Sequence, residues 1–130
     1  IGDLTNDIMD NFGRGTSGND SIIGDLTDDI INGLGGLDEL IGGAGADTFI
    51  LGDANNLYYQ SNSENDFAFI EDFAFGEDII QLGSTKSNYS FSTEENQTSI
   101  YSFSSEGTPD LVAVVNNTPN GISDNDLSFV

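Results

Sequence analysis

The chain lacks residue types that several common classes of protein require. It contains no cysteine, no histidine and no tryptophan, and only two basic residues, Arg14 and Lys86, stand against 23 acidic ones. Without cysteine there are no disulfide bonds, and zinc, copper and iron sites lack their preferred nitrogen and sulfur ligands. The formal charge of −21 argues against nucleic acid as a partner, because phosphate contacts need Lys and Arg.

Further absences narrow the range of possible functions. No apolar run reaches the length of a membrane span, and no N-terminal signal peptide is visible. The sequence contains no nucleophile elbow, no zinc-protease motif and no His or Cys nucleophile. We therefore expect no catalytic activity from this chain, and any catalytic domain would lie upstream of it.

Four consecutive nine-residue repeats run from Gly15 to Ile50, and they read GTSGNDSII, GDLTDDIIN, GLGGLDELI and GGAGADTFI. Each repeat begins with glycine, carries an aspartate at its sixth position and has a large apolar residue at its eighth. The aspartates are Asp20, Asp29, Asp38 and Asp47, and the apolar residues are Ile22, Ile31, Leu40 and Phe49.

This pattern predicts a small stacked unit that consists of a glycine-rich turn and a short strand. Glycine takes the positive φ values that tight turns need, and a three-residue strand is stable only when it pairs with neighbouring units. Two units make one coil, with a turn on each side, and the apolar eighth residues point inward. We expect an all-β fold, a parallel β-roll, because no single unit buries its own apolar face.

The roll would stack its aspartates in two ladders, with Asp20 over Asp38 on one edge and Asp29 over Asp47 on the other. Carboxylates at strand spacing, about 4.8 Å, repel one another unless a cation lies between them. Calcium is a hard cation that takes carboxylate and carbonyl oxygens, whereas magnesium demands strict octahedral geometry. The ladders predict several calcium ions. We expect the tandem Asp28, at the variable fifth position, to be a solvated charge.

Two other interpretations of the repeats stay open. A glycine- and aspartate-rich segment is also typical of a disordered acidic linker, but a linker has no reason to keep an apolar residue at every eighth position. A metal-free solenoid would keep its apolar ladder, but its stacked acids would have no compensating charge.

A fifth unit precedes the four. GDLTNDIMD, residues Gly2–Asp10, nearly duplicates Gly24–Asn32, and the segment Asn11–Arg14 interrupts the frame before the next repeat. If that segment bulges out, Asp7 lies over Asp29 and adds a metal ligand. Because Ile1 occupies the last position of a repeat, we expect more repeats and further domains of the same protein upstream.

The repeats resemble those of the RTX family, the calcium-binding nonapeptide repeats of the hemolysin type. The repeat GGAGADTFI matches the pattern throughout, whereas GDLTDDIIN departs most, with Asp25 and Thr27 in place of glycines. The resemblance implies that metal ligands are sixth-position aspartates together with turn carbonyls from stacked coils. The implied carbonyl donors are Gly18, Gly36, Gly43 and Gly45.

The second half changes composition and is predicted to be a β-rich cap. Residues 1–52 form the repeat domain, and residues 53–130 form the cap that covers the last coil. Short apolar segments predict strands at Thr48–Leu51, Phe67–Phe73, Asp78–Leu82, Asn88–Ser92, Thr98–Phe103 and Leu111–Val115. The last three suit an antiparallel meander, with turns near Glu94–Asn96 and Ser105–Gly107.

The segments Gly45–Phe49 and Ile70–Leu82 resemble the end of the repeats in RTX proteins and the stretch that follows it. The resemblance favours Asp72 and Asp78 as calcium ligands at the cap end of a ladder, and Asp53 stands at a similar place. The alternative is that each is an ordinary turn carboxylate before a strand.

The final residues, Asp124–Val130, resemble the uncleaved type I secretion signal of RTX proteins, and an edge strand is the alternative. We expect an extracellular bacterial module that folds on meeting calcium, at the millimolar levels that weak sites need, and that stabilises or anchors upstream domains. It could also be an adhesive or surface-layer module that contacts polysaccharide through Tyr58, Tyr59 and Tyr101. A third hypothesis is that the chain is the non-catalytic tail of a secreted protease, lipase or alginate epimerase.

Overall fold

The computed structural model describes residues 6–8, 12–15, 18–24, 26–53, 58–59, 66–74, 76–103 and 109–130. In these residues the regular structure is β, apart from two single-turn 3₁₀ helices at Lys86–Asn88 and Asp124–Asp126. In this part of the chain no helix has the length and apolar character needed to cross a membrane. The all-β fold that the repeats predict is confirmed.

The strands are short and follow one another closely. They are β1 Asn6–Ile8, β2 Phe12–Arg14, β3 Ser21–Ile23, β4 Ile30–Asn32, β5 Leu37–Ile41, β6 Thr48–Ile50, β7 Phe67–Ile70, β8 Ile79–Leu82, β9 Tyr89–Glu94, β10 Gln97–Phe103, β11 Pro109–Asn116 and β12 Leu127–Phe129.

Successive strands of the repeats alternate between two sheets. One sheet has the order β1-β3-β5-β7-β11-β10-β9, and the other has the order β12-β8-β6-β4-β2. All pairs among the repeat strands are parallel, with Ser21 opposite Glu39 and Ile30 opposite Thr48, so that partners lie two repeats apart. This is the predicted parallel β-roll, in which two repeats make one coil.

The core lies between the two sheets and is built from the eighth positions of the repeats. The side chains of Ile22, Ile31, Leu40 and Phe49 are all 0 % exposed. The ring of Phe73 continues this row, with its centroid 6.5 Å from that of Phe49. The inward direction of the eighth residues was predicted and is confirmed.

The second half of the chain covers the end of the roll, and its strands extend the same two sheets. Strand β7 pairs in parallel with β5 and with β11, and β8 pairs in parallel with β6. Strands β9, β10 and β11 form the predicted antiparallel meander, with a turn at Glu95–Asn96. The turn predicted at Ser105–Gly107 lies outside the described residues. Because parallel pairing crosses residue 52, the division into domains at that point stays a prediction.

The C-terminal residues form an edge strand, one of the two alternatives. Strand β12 pairs in parallel with β8 at the edge of the five-stranded sheet. The ring of Phe129 lies 6.3 Å from that of Tyr89, measured between centroids. A role of the same residues in export stays a prediction.

The start of the roll differs from the prediction made for Asp7. Phe12–Arg14 does not bulge out but forms strand β2 beside β4, because a paired strand satisfies backbone groups that a bulge leaves without ladder partners. Strand β1 then pairs with β3, which places Asp7 opposite Ile22 in the other sheet. The prediction that Asp7 stacks over Asp29 was therefore wrong. This strand register gives no support to metal binding by Asp7.

Leu34 adopts a backbone conformation that the repeat pattern reserves for glycine. It stands at the second position of the third repeat and has a φ of 70°. A left-handed conformation costs an L-residue with a Cβ about 1–2 kcal/mol. Its N–H donates to Asn32 Oδ1 at 3.0 Å, which holds the turn closed.

We expect Leu34→Gly to relieve this strain. The matched control is Leu26→Gly, because Leu26 is a turn leucine that is 83 % exposed and has no positive φ. Both variants gain the same freedom in the unfolded chain, so the difference between them reports the strain at Leu34 less the contacts that its half-buried side chain loses. In saturating calcium, urea unfolding should find Leu34→Gly more stable than Leu26→Gly by up to about 1–2 kcal/mol. A Leu34→Gly variant that is less stable than Leu26→Gly would contradict a strain of this size.

Candidate metal centre

The turns of the roll form two stacks on opposite edges. Among the described residues, the first edge contains the turns that carry Asp20 and Asp38, and the second edge contains the turns that carry Asp29, Asp47 and Asp78. The last residue of each turn is an aspartate with a buried side chain, and their exposures are Asp20 7 %, Asp38 2 %, Asp29 1 %, Asp47 1 % and Asp78 1 %. The five carboxylates occupy similar places, because four of them directly precede a strand of the roll and Asp38 is the second residue of β5.

Three of these carboxylates, those of Asp38, Asp47 and Asp78, accept a backbone N–H from the coil before them. Asp38 Oδ1 accepts the N–H of Asp20 at 2.8 Å, and Asp47 Oδ1 accepts the N–H of Asp29 at 2.9 Å. Asp78 Oδ1 accepts the N–H of Asp47 at 2.8 Å, so the cap supplies a third member of the second edge. These bonds bring together the predicted pairs Asp20/Asp38 and Asp29/Asp47.

The glycines that open the first two repeats leave room for oxygens from two successive turns. A Cβ on Gly24 would lie 2.4 Å from Asp29 Oδ2 and 2.3 Å from the carbonyl oxygen of Gly42. A Cβ on Gly15 would lie 2.6 Å from Asp20 Oδ2 and 2.7 Å from the carbonyl oxygen of Gly33. We call each such place a cradle. Its carboxylate and carbonyl oxygens are ligands that calcium takes.

The carbonyls in these cradles differ from those that the RTX resemblance implied. Gly33 and Gly42 are first-position glycines, and sequence reasoning had assigned them no carbonyl role. The sequence feature that could have identified these two carbonyls is the glycine at the first position of every repeat. The implied donors Gly36, Gly43 and Gly45 have φ values of 87°, 82° and 91°, and Gly18 lies in the first turn. Metal binding by these four carbonyls stays a prediction.

Asp47 has a buried oxygen without a partner. Its Oδ2 accepts no hydrogen bond from the described residues, although Oδ1 is bonded to Asp29. Burial, followed by the negative charges of Asp78, Asp29 and Asp72, raises the pKa of Asp47 to about 7, against the lowering effect of the Asp29 N–H. A buried anionic oxygen without a donor is costly, and a cation would remove that cost.

Two other buried carboxylates also show raised pKa values, and both have donors on Oδ2. Burial raises the pKa of Asp38 to about 7, although its hydrogen bond from the Tyr59 hydroxyl, at 2.7 Å, lowers it. Burial also raises the pKa of Asp78, whose Oδ2 accepts the N–H of Ala74 at 2.7 Å. In each case the low polarity of the turn disfavours the charged form.

The described residues contain no group of three or more Asp, Glu, His or Cys side chains placed to hold a metal ion. A cation in these turns would therefore take one or two carboxylates and complete its shell with backbone carbonyls or water. Calcium tolerates such mixed oxygen shells, and the cradles fit that requirement.

Asp72 and Asp53 take other places. Asp72 accepts the N–H groups of Gly42 and Gly43 on its two oxygens, both at 2.8 Å, and so caps the start of the last repeat. Asp53 Oδ2 accepts the hydroxyl of Tyr58 at 3.5 Å. Both residues lie beside the last coil, and their roles as metal ligands stay predictions.

Fifth-position side chains form a further set of contacts between coils. Asp28 is exposed, as expected, but it is not only a solvated charge, because its Oδ1 accepts the N–H of Ala46 at 2.7 Å. Asn19 Oδ1 accepts the N–H of Leu37 at 2.9 Å in the same way. Each coil is thus joined to the next by side-chain oxygens at two successive positions.

No protein-family model and no curated protein matches the sequence. The solution structure of the AlgE6R2 subunit of the mannuronan C5-epimerase of Azotobacter vinelandii is similar, with a TM-score of 0.64 and 20% identity over 97% of this chain and 91% of that one. The AlgE6R3 subunit of the same enzyme gives a TM-score of 0.53 and 21% identity over 90% and 78% of the two chains. At this identity the likeness shows the fold.

Asp28→Ala should lower the free energy of unfolding by about 1 kcal/mol, because the N–H of Ala46 loses its acceptor. Asp28→Asn is the control, since its amide oxygen can still accept the bond while the charge is lost. Chemical denaturation in saturating calcium measures both variants. If Asp28→Asn is as destabilised as Asp28→Ala, the charge and not the hydrogen bond is what matters.

The raised pKa values predict how the metal-free chain responds to pH. Asp38 and Asp47 have pKa values of about 7 in the fold, against 3.8 for the ordinary carboxyl. The folded state therefore binds more protons between these values, and the stability that this gives is lost as pH rises through about 7. In chelator, circular dichroism should show more β structure at pH 5 than at pH 8. More β structure at pH 8 than at pH 5 would contradict the raised pKa values of Asp38 and Asp47.

Proposed function

We propose that this chain is a non-catalytic calcium-binding module of a secreted protein, which folds when it meets calcium and then stabilises or anchors the domains joined to it. The observation that carries this proposal is the buried Asp47 Oδ2, which has no partner among the described residues. It lies in a stack of carboxylates whose turns also contribute carbonyl oxygens.

The chemistry of the turns favours calcium over other cations. The oxygens available are carboxylates and glycine carbonyls, and the chain has no His or Cys to bind a softer metal. Magnesium keeps most of its water and needs strict geometry, whereas calcium accepts irregular shells of six to eight oxygens. Asp20, Asp29, Asp38, Asp47 and Asp78 would supply side-chain oxygens, and the carbonyls of Gly33 and Gly42 would complete the cradles. Because both edges of the roll carry such turns, we expect each chain to bind several calcium ions.

Folding and binding would be coupled because the fold buries carboxylates that have no internal counter-charge. A chain of formal charge −21 repels itself when it becomes compact. Calcium that binds only the folded state stabilises it in proportion to the logarithm of its concentration. Weak sites fill at extracellular calcium levels, about 10⁻³ M, and stay empty at cytosolic levels. The resemblance to RTX repeats supports an extracellular location and export before folding.

A second candidate function rests on the comparisons with solved structures. Both similar chains are subunits of an enzyme named for its action on mannuronan. This chain could be the non-catalytic part of a secreted enzyme that acts on a polysaccharide. Tyr59 is 2 % exposed and cannot contact a sugar, whereas Tyr101 is half-buried on β10. Calorimetry with mannuronan, in calcium and in chelator, tests this candidate, and no heat of binding in either condition would count against it.

Asp47→Asn should weaken calcium binding and stabilise the metal-free chain. The loss of a direct ligand should cost at least the roughly 10- to 100-fold in affinity that is typical of outer-shell partners. In chelator at pH 8 the same variant should gain β structure, because it removes a buried charge. Calorimetric titration and circular dichroism measure the two effects.

The control is Glu94→Gln, which makes the same change of charge at an exposed position at the end of β9. It should leave the calcium affinity unchanged. If the wild-type chain takes up no calcium at millimolar concentration, the proposed function is wrong.

A further inference from the structure

Tyr59 directs its hydroxyl into the first edge of the roll. Its side chain is 2 % exposed, and its hydroxyl donates to Asp38 Oδ2 at 2.7 Å. Its φ of 63° is left-handed, a conformation that a tyrosine adopts only when the surrounding contacts impose it. Burial, followed by the charge of Asp38, raises the pKa of Tyr59 well above its ordinary value, so the phenol keeps its proton and remains a donor.

The hydroxyl occupies the place that a backbone carbonyl takes in the equivalent cradles. At Gly15 and Gly24 the second oxygen near the place of a Cβ, besides that of the aspartate, belongs to the carbonyl of the next turn on the same edge. At Gly33 a Cβ would instead lie 2.3 Å from the Tyr59 hydroxyl and 2.3 Å from Asp38 Oδ2. Tyr59 therefore supplies the oxygen that a following turn would otherwise supply.

No aspartate follows Asp38 on this edge at the position that Asp78 takes after Asp47; the aspartate before β7 is Asp66, and its Oδ1 accepts the N–H of Gly36 at 2.8 Å instead. Strand β7 continues the sheet beyond β5, and its register places Ala68 beside Asp38. The second edge differs, because Asp78 follows Asp47 there and no tyrosine reaches Asp47 Oδ2. The partner of Asp38 Oδ2 on the first edge is thus a neutral donor, whereas the backbone N–H of Asp47 on the second edge is bonded to a further carboxylate, that of Asp78.

We propose that Tyr59 is a positioning residue for the cation held between the turns of Asp20 and Asp38. With Oδ1 bonded to the N–H of Asp20 and Oδ2 bonded to Tyr59, the Asp38 carboxylate has one orientation. Outer-shell hydrogen bonds of this kind orient metal ligands, and their loss typically costs 10- to 100-fold in metal affinity. This inference rests on the proposed calcium binding and adds a residue that no repeat position contains.

The experiment compares Tyr59→Phe with Tyr89→Phe, and each removes one buried phenolic hydrogen bond. Tyr89 is the matched control because it is 7 % exposed and its hydroxyl donates to the carbonyl oxygen of Gly83 at 2.6 Å, away from the aspartate turns. Calcium affinities are measured by competition with a chromophoric chelator, and folding in saturating calcium is checked by circular dichroism. We expect Tyr59→Phe to weaken one class of sites by about 10- to 100-fold, and Tyr89→Phe to leave all affinities unchanged.

The outcomes separate the inference from the proposed function. Wild-type protein that binds no calcium overturns both. Calcium binding by the wild type, with the same affinities in Tyr59→Phe and Tyr89→Phe, overturns only the role of Tyr59, and so does an equal weakening of all sites in both variants. If Tyr59→Phe does not fold in saturating calcium, terbium replaces calcium in a variant that keeps Tyr59 as its only tyrosine, with Tyr58, Tyr89 and Tyr101 each changed to Phe. Tyrosine-sensitised emission from this variant then supports the proposal, and its absence overturns it.

Discussion

The whole roll depends on one contact, in which a buried aspartate carboxylate accepts the backbone N–H of the aspartate one coil earlier. The contact joins Asp38 to Asp20, Asp47 to Asp29 and Asp78 to Asp47. A hydrogen bond to a charged acceptor contributes about 1.5–3 kcal/mol, and it fixes the register at the place where each strand begins. The same contact brings negative charges close together in a region of low polarity, so the bond that orders the coils also creates their electrostatic problem.

The glycine that opens each repeat is a consequence of this arrangement. The Oδ2 atoms of Asp29 and Asp47 lie within 2.4 Å of where a Cβ on Gly24 and Gly42 would stand, so any larger residue would displace the carboxylate. The aspartate and the glycine of one repeat therefore specify each other across the turn. Leu34 replaces the second glycine of its repeat and has a strained φ of 70°.

The period of nine residues was sufficient to predict the strands, the two edges and the inward direction of Ile22 and Phe49, because these properties repeat with the sequence. The start of the roll was not predictable in the same way. Asp7 belongs to a unit that looks like a repeat, but the pairing of Phe12–Arg14 with β4 shifts its frame. Tyr59 was also missed as a contact of Asp38, because a residue that reaches back over 21 positions leaves no periodic signal.

The chain cannot neutralise its buried carboxylates with its own residues. Of its two bases, Lys86 pairs with Asp124 at the surface, and Arg14 contributes a single positive charge. Five aspartates of the turns are at least nine-tenths buried. For Asp38 and Asp47, whose pKa values burial raises to about 7, proton uptake relieves the charge only below about pH 7. Tyr59 relieves one oxygen of Asp38 by donating a hydrogen bond, but it brings no charge. At neutral pH the proposed calcium binding would supply the remaining compensation, through oxygen atoms of both the side chains and the backbone.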